Sequence, residues 1–191
     1  MSARLVIASQ MEPDFNAGLA AHPLAPEVIE VPEDRPWEAA GAADILLVRP
    51  SPAWRGNHDL ARPAAWPGRL RWVYSASAGI DFYPRWLLDA PLVTCGRGVA
   101  SDEIADYVIA AIYARAKNLD AVTVTARSEW RPAVLGRVAG STVGIVGLGA
   151  IGGAVARRAA ALGARVVAVR RGGSPADAGV DLSDTAEAVV A

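Results

Sequence analysis

The sequence predicts an α/β protein built on parallel sheets, and three observations carry that expectation. Short apolar runs recur at residues 4–8, 27–31, 44–48, 71–75 and 91–95, and again at 142–146 and 165–169. Each run is nearly continuous rather than alternating, as expected of strands covered on both faces. The segments between several of them carry helical spacing, and strands alternating with helices imply doubly wound units. The third observation is a glycine-rich turn, Gly147-Leu148-Gly149-Ala150-Ile151-Gly152, set directly between a strand and a helix.

Composition narrows the class. A chain of 191 residues holds one or two domains, and 52% hydrophobic with 20% charged residues suits a globular core. The net charge of −1 gives no footprint for nucleic acid or an anionic membrane. No apolar run approaches the roughly 20 residues of a membrane span, and the N-terminus lacks the apolar length of a signal peptide. No metal site is expected. Cys95 is the single cysteine, so no intrachain disulfide can form, and a cytoplasmic location fits. In an apolar strand it is expected to be a small buried side chain. The six tryptophans are expected to fill core and interfaces.

Taken in order, residues 1–98 form a first α/β domain. A short helix is expected over 15–21. Residues 50–67, rich in Pro, Gly and Trp, read as a loop with one weak helix at 58–61. A small-residue loop, Ala76-Ser77-Ala78-Gly79-Ile80-Asp81, follows the fourth strand. A long helix then starts at Ser101, with Ser101 as N-cap and Asp102 and Glu103 suited to the positive helix end. Ile104, Val108, Ala111, Ile112 and Ala116 form its stripe, and its mostly apolar middle predicts burial. A second helix is expected over 119–128, followed by a polar arm with Pro and Gly. Residues 99–191 make up the second domain. Ser183 is expected to cap a last short helix. Only two strands are expected from the glycine turn onward, where a dinucleotide domain has six. The second domain is therefore expected to be an incomplete Rossmann unit, and the chain a piece of a longer protein.

The glycine turn has the spacing and the strand–turn–helix context of a dinucleotide-binding fingerprint. The first glycine makes the tight turn, the second admits a pyrophosphate, and the third lets helix and strand pack closely. The helix N-terminus offers unpaired N–H groups to the phosphates. Gly147, Gly149, Ala150, Ile151 and Gly152 are the candidate cofactor residues. An acid that would accept from a ribose 2′-OH belongs at the end of the second strand. Arg170 and Arg171 stand there instead, and guanidinium groups suit a 2′-phosphate. NADP(H) is expected, with NAD(H) as second choice.

Three segments resemble the D-isomer-specific 2-hydroxyacid dehydrogenase family: W-V-Y-S-A-S-A-G-I-D from Trp72, G-V-A-S-D-E-I-A-D-Y-V-I-A-A-I from Gly98, and T-V-G-I-V-G-L-G-A-I-G from Thr142. The resemblance implies a flavodoxin-like substrate domain followed by the nucleotide domain, with 2-oxo or 2-hydroxy acids as substrates and a homodimer as the complete form. It implies that backbone N–H groups of Ala78 and Gly79 hold the substrate carboxylate, and it places Arg49 beside the active site. It leans towards the glyoxylate/hydroxypyruvate reductase-like branch. Asp106 matches a helix acid and is expected to be structural, with a partner. The family's catalytic arginine, glutamate and histidine fall beyond the point matching Ala191. His22 and His58 do not match that histidine, so no catalytic residue is assigned and the chain is expected to lack turnover. A non-catalytic, corepressor-like dinucleotide sensor of the same fold is the alternative.

Overall fold

Five parallel strands organise the first part of the chain: β1 (Val6–Ser9), β2 (Glu27–Glu30), β3 (Ile45–Val48), β4 (Trp72–Ser75) and β5 (Val93–Cys95), in the order β2-β1-β3-β4-β5. This is the flavodoxin-like order, with the turn in strand order beside β1. The computed structural model describes residues 4–54, 58–171, 180–183, 186 and 189. The chain divides into two units, residues 1–97 and 98–191.

Register decides which side chains share a face of the first sheet. Ala8, Leu46 and Val73 stand abreast across β1, β3 and β4, as do Ser9, Leu47 and Tyr74. The second row faces α1 (Pro13–Ala20), where Ser9 Oγ lies 2.6 Å from Asn16 Oδ1 in a buried hydrogen bond. The first row meets a core containing Trp37, Trp54, Trp66, Tyr83 and Trp86. Trp37 lies 5.5 Å from Trp54 and 5.2 Å from Trp86, centroid to centroid, while Trp54 lies 4.9 Å from Tyr83.

These rings supply cover that regular helices would give in a longer-looped α/β unit. The connections here are 3₁₀ turns at Pro36–Gly41, Pro52–Trp54 and Arg85–Asp89. Proline starts the first two, fixing φ while giving no N–H to a longer helix. No helix forms at 58–61, where the chain makes a turn at 58–59. The buried indoles still need acceptors. Trp54 Nε1 donates to Arg49 O at 3.0 Å, and Trp86 Nε1 to Leu60 O at 2.8 Å. Cys95 departs from expectation: it is exposed. It ends a three-residue edge strand, where apolar neighbours cover only part of the sheet.

In the second unit, α2 (Ser101–Lys117) ends at Asn118, whose left-handed φ of 48° turns the chain into α3 (Leu119–Val122). The helix expected to 128 stops there, because Val122-Thr123-Val124-Thr125 is a β-branched run that disfavours continued helix. Ala100 rather than Ser101 occupies the N-cap, with no side-chain cap. The turn begins one residue earlier than the sequence suggested.

Three parallel strands follow in the order β6-β7-β8: β6 (Thr142–Val146), β7 (Arg165–Val169) and β8 (Val180–Leu182). The third strand corrects the expectation of two. Val-Asp-Leu is too short and too polar to register as an apolar run, yet Asp181 is placed to meet Arg165 of β7 at 2.9 Å. Helix α4 (Ala150–Ala161) buries Ala154, Val155, Ala156 and Ala159 in a core with Ile145, Val166 and Ala168. Helix α2 joins this core through Ala105, Val108, Ile109 and Ile112. Only Ala105 of α2 is fully buried; Ile104 and Tyr107 are 40% and 76% exposed. The helix is thus one-sided rather than enclosed. The segment in which Ser183 was expected to cap a helix lies largely outside the described residues.

Two measurements check the first unit. Trp54→Ala removes a fully buried ring and is expected to cost about 3–5 kcal/mol in urea unfolding. Asp44 accepts from Val6 N–H at 3.0 Å and pairs with Arg69 at 3.0 Å, and these contacts, the Val6 bond first, hold its carboxyl below the ordinary 3.8. A depressed carboxylate stabilises fully above its unfolded value and loses the effect as pH falls through the folded one. The stability gap between wild type and Asp44→Asn should therefore be present at neutral pH and close below 3.8.

Candidate functional site

Strand β6 runs into Gly147, whose φ of 101° belongs to the region that favours glycine, and its N–H donates to Val169 O at 2.8 Å. Gly149 is the N-cap of α4 and has no side chain to bond the first turn. A Cβ built on Gly149 would meet nothing within 4 Å. A Cβ on Gly152 would strike the Gly147 carbonyl oxygen and come within 3.2 Å of Ile145 Cγ2. The three glycines therefore answer three different demands: a backbone turn, an open approach, and helix-to-strand contact. The first intrahelical bond runs from Gly153 N–H to Gly149 O at 2.8 Å. The N–H groups before it have no acceptor within the helix, and the helix dipole adds partial positive charge there.

That end of α4 opens into a cavity of about 410 Å³, whose lining includes Gly98, Ser101, Asp102, Gly149, Arg157 and Arg170. The first turn of α2 makes part of the wall. Ser101 Oγ is buried there without a hydrogen-bond partner. Of the residues expected at the cofactor site, Gly149, Ala150 and Arg170 line this cavity. Gly147, Ile151 and Gly152 instead border a second, mainly apolar cavity of about 520 Å³ with Val108, Ile112 and Val155. Arg171 follows Arg170 at the exposed end of β7. Sequence reasoning missed Arg157 and Asp102. Arg157 follows Ala150 by seven residues, two turns along the same helix face, and that spacing was the available signal.

The residues expected to meet substrate lie in the first unit. Arg49, just past β3, pairs with Glu12 at 3.0 Å and Glu33 at 2.6 Å, and its buried Nε has no partner. Ala78 and Gly79 are exposed in the loop after β4. Gly79 N–H donates to Ser77 Oγ at 3.1 Å, and Ser77 N–H to Ser75 Oγ at 3.2 Å. Ser75 Oγ also meets Tyr83 OH at 3.1 Å, and burial pushes the Tyr83 phenol above its usual range. A side chain at Gly79 would make only ordinary contacts, 3.6 Å from Ser77 Oγ and 3.7 Å from Phe82. His58 accepts from Arg85 Nε at 2.9 Å while its Nδ1 lies 3.2 Å from Tyr83 O, a pattern met by the neutral tautomer protonated on Nδ1. His22 Nδ1 accepts from Leu24 N–H at 3.2 Å.

A parallel strand, a glycine turn, an uncapped helix and an arginine at the neighbouring strand end define a Rossmann-type nucleotide-binding domain. Comparison with known proteins agrees. Residues 108–190 match the family described as "D-isomer specific 2-hydroxyacid dehydrogenase, NAD binding domain". A curated relative, erythronate-4-phosphate dehydrogenase of Salinibacter ruber, is 36% identical over 129 residues, covering 66% of this chain and 27% of the relative. The NADPH-dependent glyoxylate/hydroxypyruvate reductase of Sinorhizobium meliloti, solved with NADP and sulfate, is 25% identical with a TM-score of 0.69, over 96% of this chain and 57% of that one. A family protein of Aeromonas salmonicida gives 25% and 0.68, over 95% and 57%. The second unit is thus similar to the nucleotide-binding domain of the D-isomer-specific 2-hydroxyacid dehydrogenase family. The chain spans about a quarter of the curated relative's length and under two thirds of these structures.

The different duties of the glycines can be separated. Gly152→Ala should lose about 1–3 kcal/mol of stability through overpacking. Gly149→Ala should keep the thermal midpoint within about 2 °C but weaken dinucleotide binding, because its methyl group points into open space. Thermal unfolding and a binding titration on both variants distinguish the two outcomes.

Proposed function

We propose that the chain supplies the acid-binding domain and the cofactor-phosphate site of an NADP(H)-dependent 2-hydroxyacid dehydrogenase, working as a 2-oxoacid reductase. The observation that carries this reading is the Gly149 position: an uncapped helix start on a cavity wall, with open space for 4 Å around the place a side chain would take. The same residues suit a dinucleotide. Gly149 and Ala150 would hold the pyrophosphate at the helix N-terminus. Arg170, with Arg171 beside it, would pair with a 2′-phosphate. When bound, the cofactor contributes the hydride exchanged with C2 of the acid.

The chain's own residues do the rest of the binding. The loop N–H groups of Ala78 and Gly79 receive the substrate carboxylate, since a turn of small residues can aim backbone donors at an anion. Gly79 N–H would exchange its bond to Ser77 Oγ for that carboxylate. Arg49, held by Glu12 and Glu33, would release one of these carboxylates to meet the substrate acid. The arginine, glutamate and histidine that polarise the carbonyl and move the proton are assigned to chain beyond these 191 residues, so this chain binds without turning over. The glyoxylate/hydroxypyruvate type of substrate is supported by the Sinorhizobium meliloti reductase with its bound NADP.

A homodimer in cytoplasm completes the proposal. Trp130, Val134 and Leu135 give residues 129–140 an exposed apolar character suited to a second copy. No helix among the described residues is long and apolar enough to cross a membrane.

The cofactor assignment is tested by titrating NADPH and NADH. Arg170→Gln/Arg171→Gln should weaken NADPH binding by about tenfold or more, the scale of charged hydrogen bonds, while NADH changes little. A wild-type preference for NADH would overturn the assignment, and measurable turnover by the pure 191-residue chain would overturn the placement of the catalytic groups.

A further inference from the structure

Arg158 of α4 does not line the nucleotide cavity, yet three acceptors hold its guanidinium. Its Nε donates to Asp106 Oδ1 at 2.7 Å, one terminal nitrogen meets Asp102 Oδ1 at 3.0 Å, and the other donates to Ala154 O at 3.3 Å. Asp102 and Asp106 stand one turn apart on α2. The guanidinium is only 29% exposed, while the two carboxylates are 74% and 72% exposed. The planar fork thus spans two helices and fixes their approach, which a point charge on a flexible stem would do less well.

The two acids are not equivalent. Asp102 lines the cavity with Gly149, Arg157 and Arg170; Asp106 does not. Asp102 also sits in the first turn of α2, where the helix dipole favours a negative charge. It brings a carboxylate to the wall of a cavity whose other charged groups, Arg157 and Arg170, suit an anion. Unmasked, it would oppose a phosphate at a distance that salt screens only in part.

We propose that Arg158 is a positioning residue of the nucleotide site: anchored by Asp106, it neutralises Asp102, so that the cavity accepts a phosphate-bearing ligand. The proposal rests on the dinucleotide reading above and adds to it a residue outside the glycine motif. It also gives Asp106 its role. Asp106 is the second anchor of the fork and does not line the cavity.

The test is a set of NADPH titrations on the 191-residue chain, with thermal unfolding run in parallel. Arg158→Gln should weaken NADPH by about tenfold at low salt, and the penalty relative to wild type should shrink between about 0.05 M and about 0.5 M salt. Adding Asp102→Asn to that variant should bring affinity back to within about threefold of wild type, whereas adding Asp106→Asn should not. An Arg158→Gln protein that binds as wild type overturns the proposal, as does a penalty insensitive to salt or unrelieved by Asp102→Asn. Two further variants keep the test open if Arg158→Gln does not fold. Arg158→Lys keeps the charge and should stay within about threefold; Asp102→Asn alone should bind as well as wild type or better. A tenfold loss in either would overturn the proposal. Wild-type chain that binds neither NADPH nor NADH would instead overturn the dinucleotide reading, and this inference with it.

Discussion

The second unit depends on one close approach, that of the α4 backbone at Gly152 to the carbonyl of Gly147. A helix can start that near its preceding strand only if no side chain stands between them. This contact sets the height of α4 over β6, and it lets Val155 and Ala159 reach the core shared with Ile145 and Val166. It also aims the helix axis, and with it the unpaired N–H groups, at the cavity beyond Gly149. The packing of α4 and the direction of its N-terminus are thus consequences of a single missing methyl group.

The first unit solves a different problem. Its parallel sheet must be covered, but the connections after β2, β3 and β4 hold only short 3₁₀ turns, two of them begun by proline. Aromatic rings carry the load that longer helices would carry. Trp37, Trp54 and Trp86 interlock edge to face or tilted, at separations where such pairs stabilise beyond their buried area. Trp54 also donates to the carbonyl of Arg49, so the ring cluster anchors the backbone from which that arginine projects.

Legibility in the sequence followed the locality of the physics. The strands of the first sheet were readable as apolar runs, and the glycine turn was readable because spacing, strand and helix all lie within a dozen residues. The edge strand Val180–Leu182 was not, since three residues with a central Asp have no pattern of their own and gain their place from Arg165. Ser101 looked like an N-cap, but the cap position fell on Ala100, a shift of one residue that propensity does not resolve. Cys95 looked buried because its strand is apolar, while burial depends on what covers the edge. The link from Arg158 to Asp102 and Asp106 joins residues about fifty positions apart. In sequence each is simply a charge on a helix, and only the crossing of α2 and α4 turns them into a pair.

The distribution of indoles gives the two units separate optical identities. Five of the six tryptophans lie before residue 98, and four of those are buried in one cluster. Trp130 is the sole indole of the second unit and is 64% exposed. Blue-shifted emission shielded from aqueous quenchers therefore belongs to the sheet of the first unit. The red, quenchable fraction belongs mainly to the unit with the glycine turn, so one spectrum can follow the unfolding of each unit without any label.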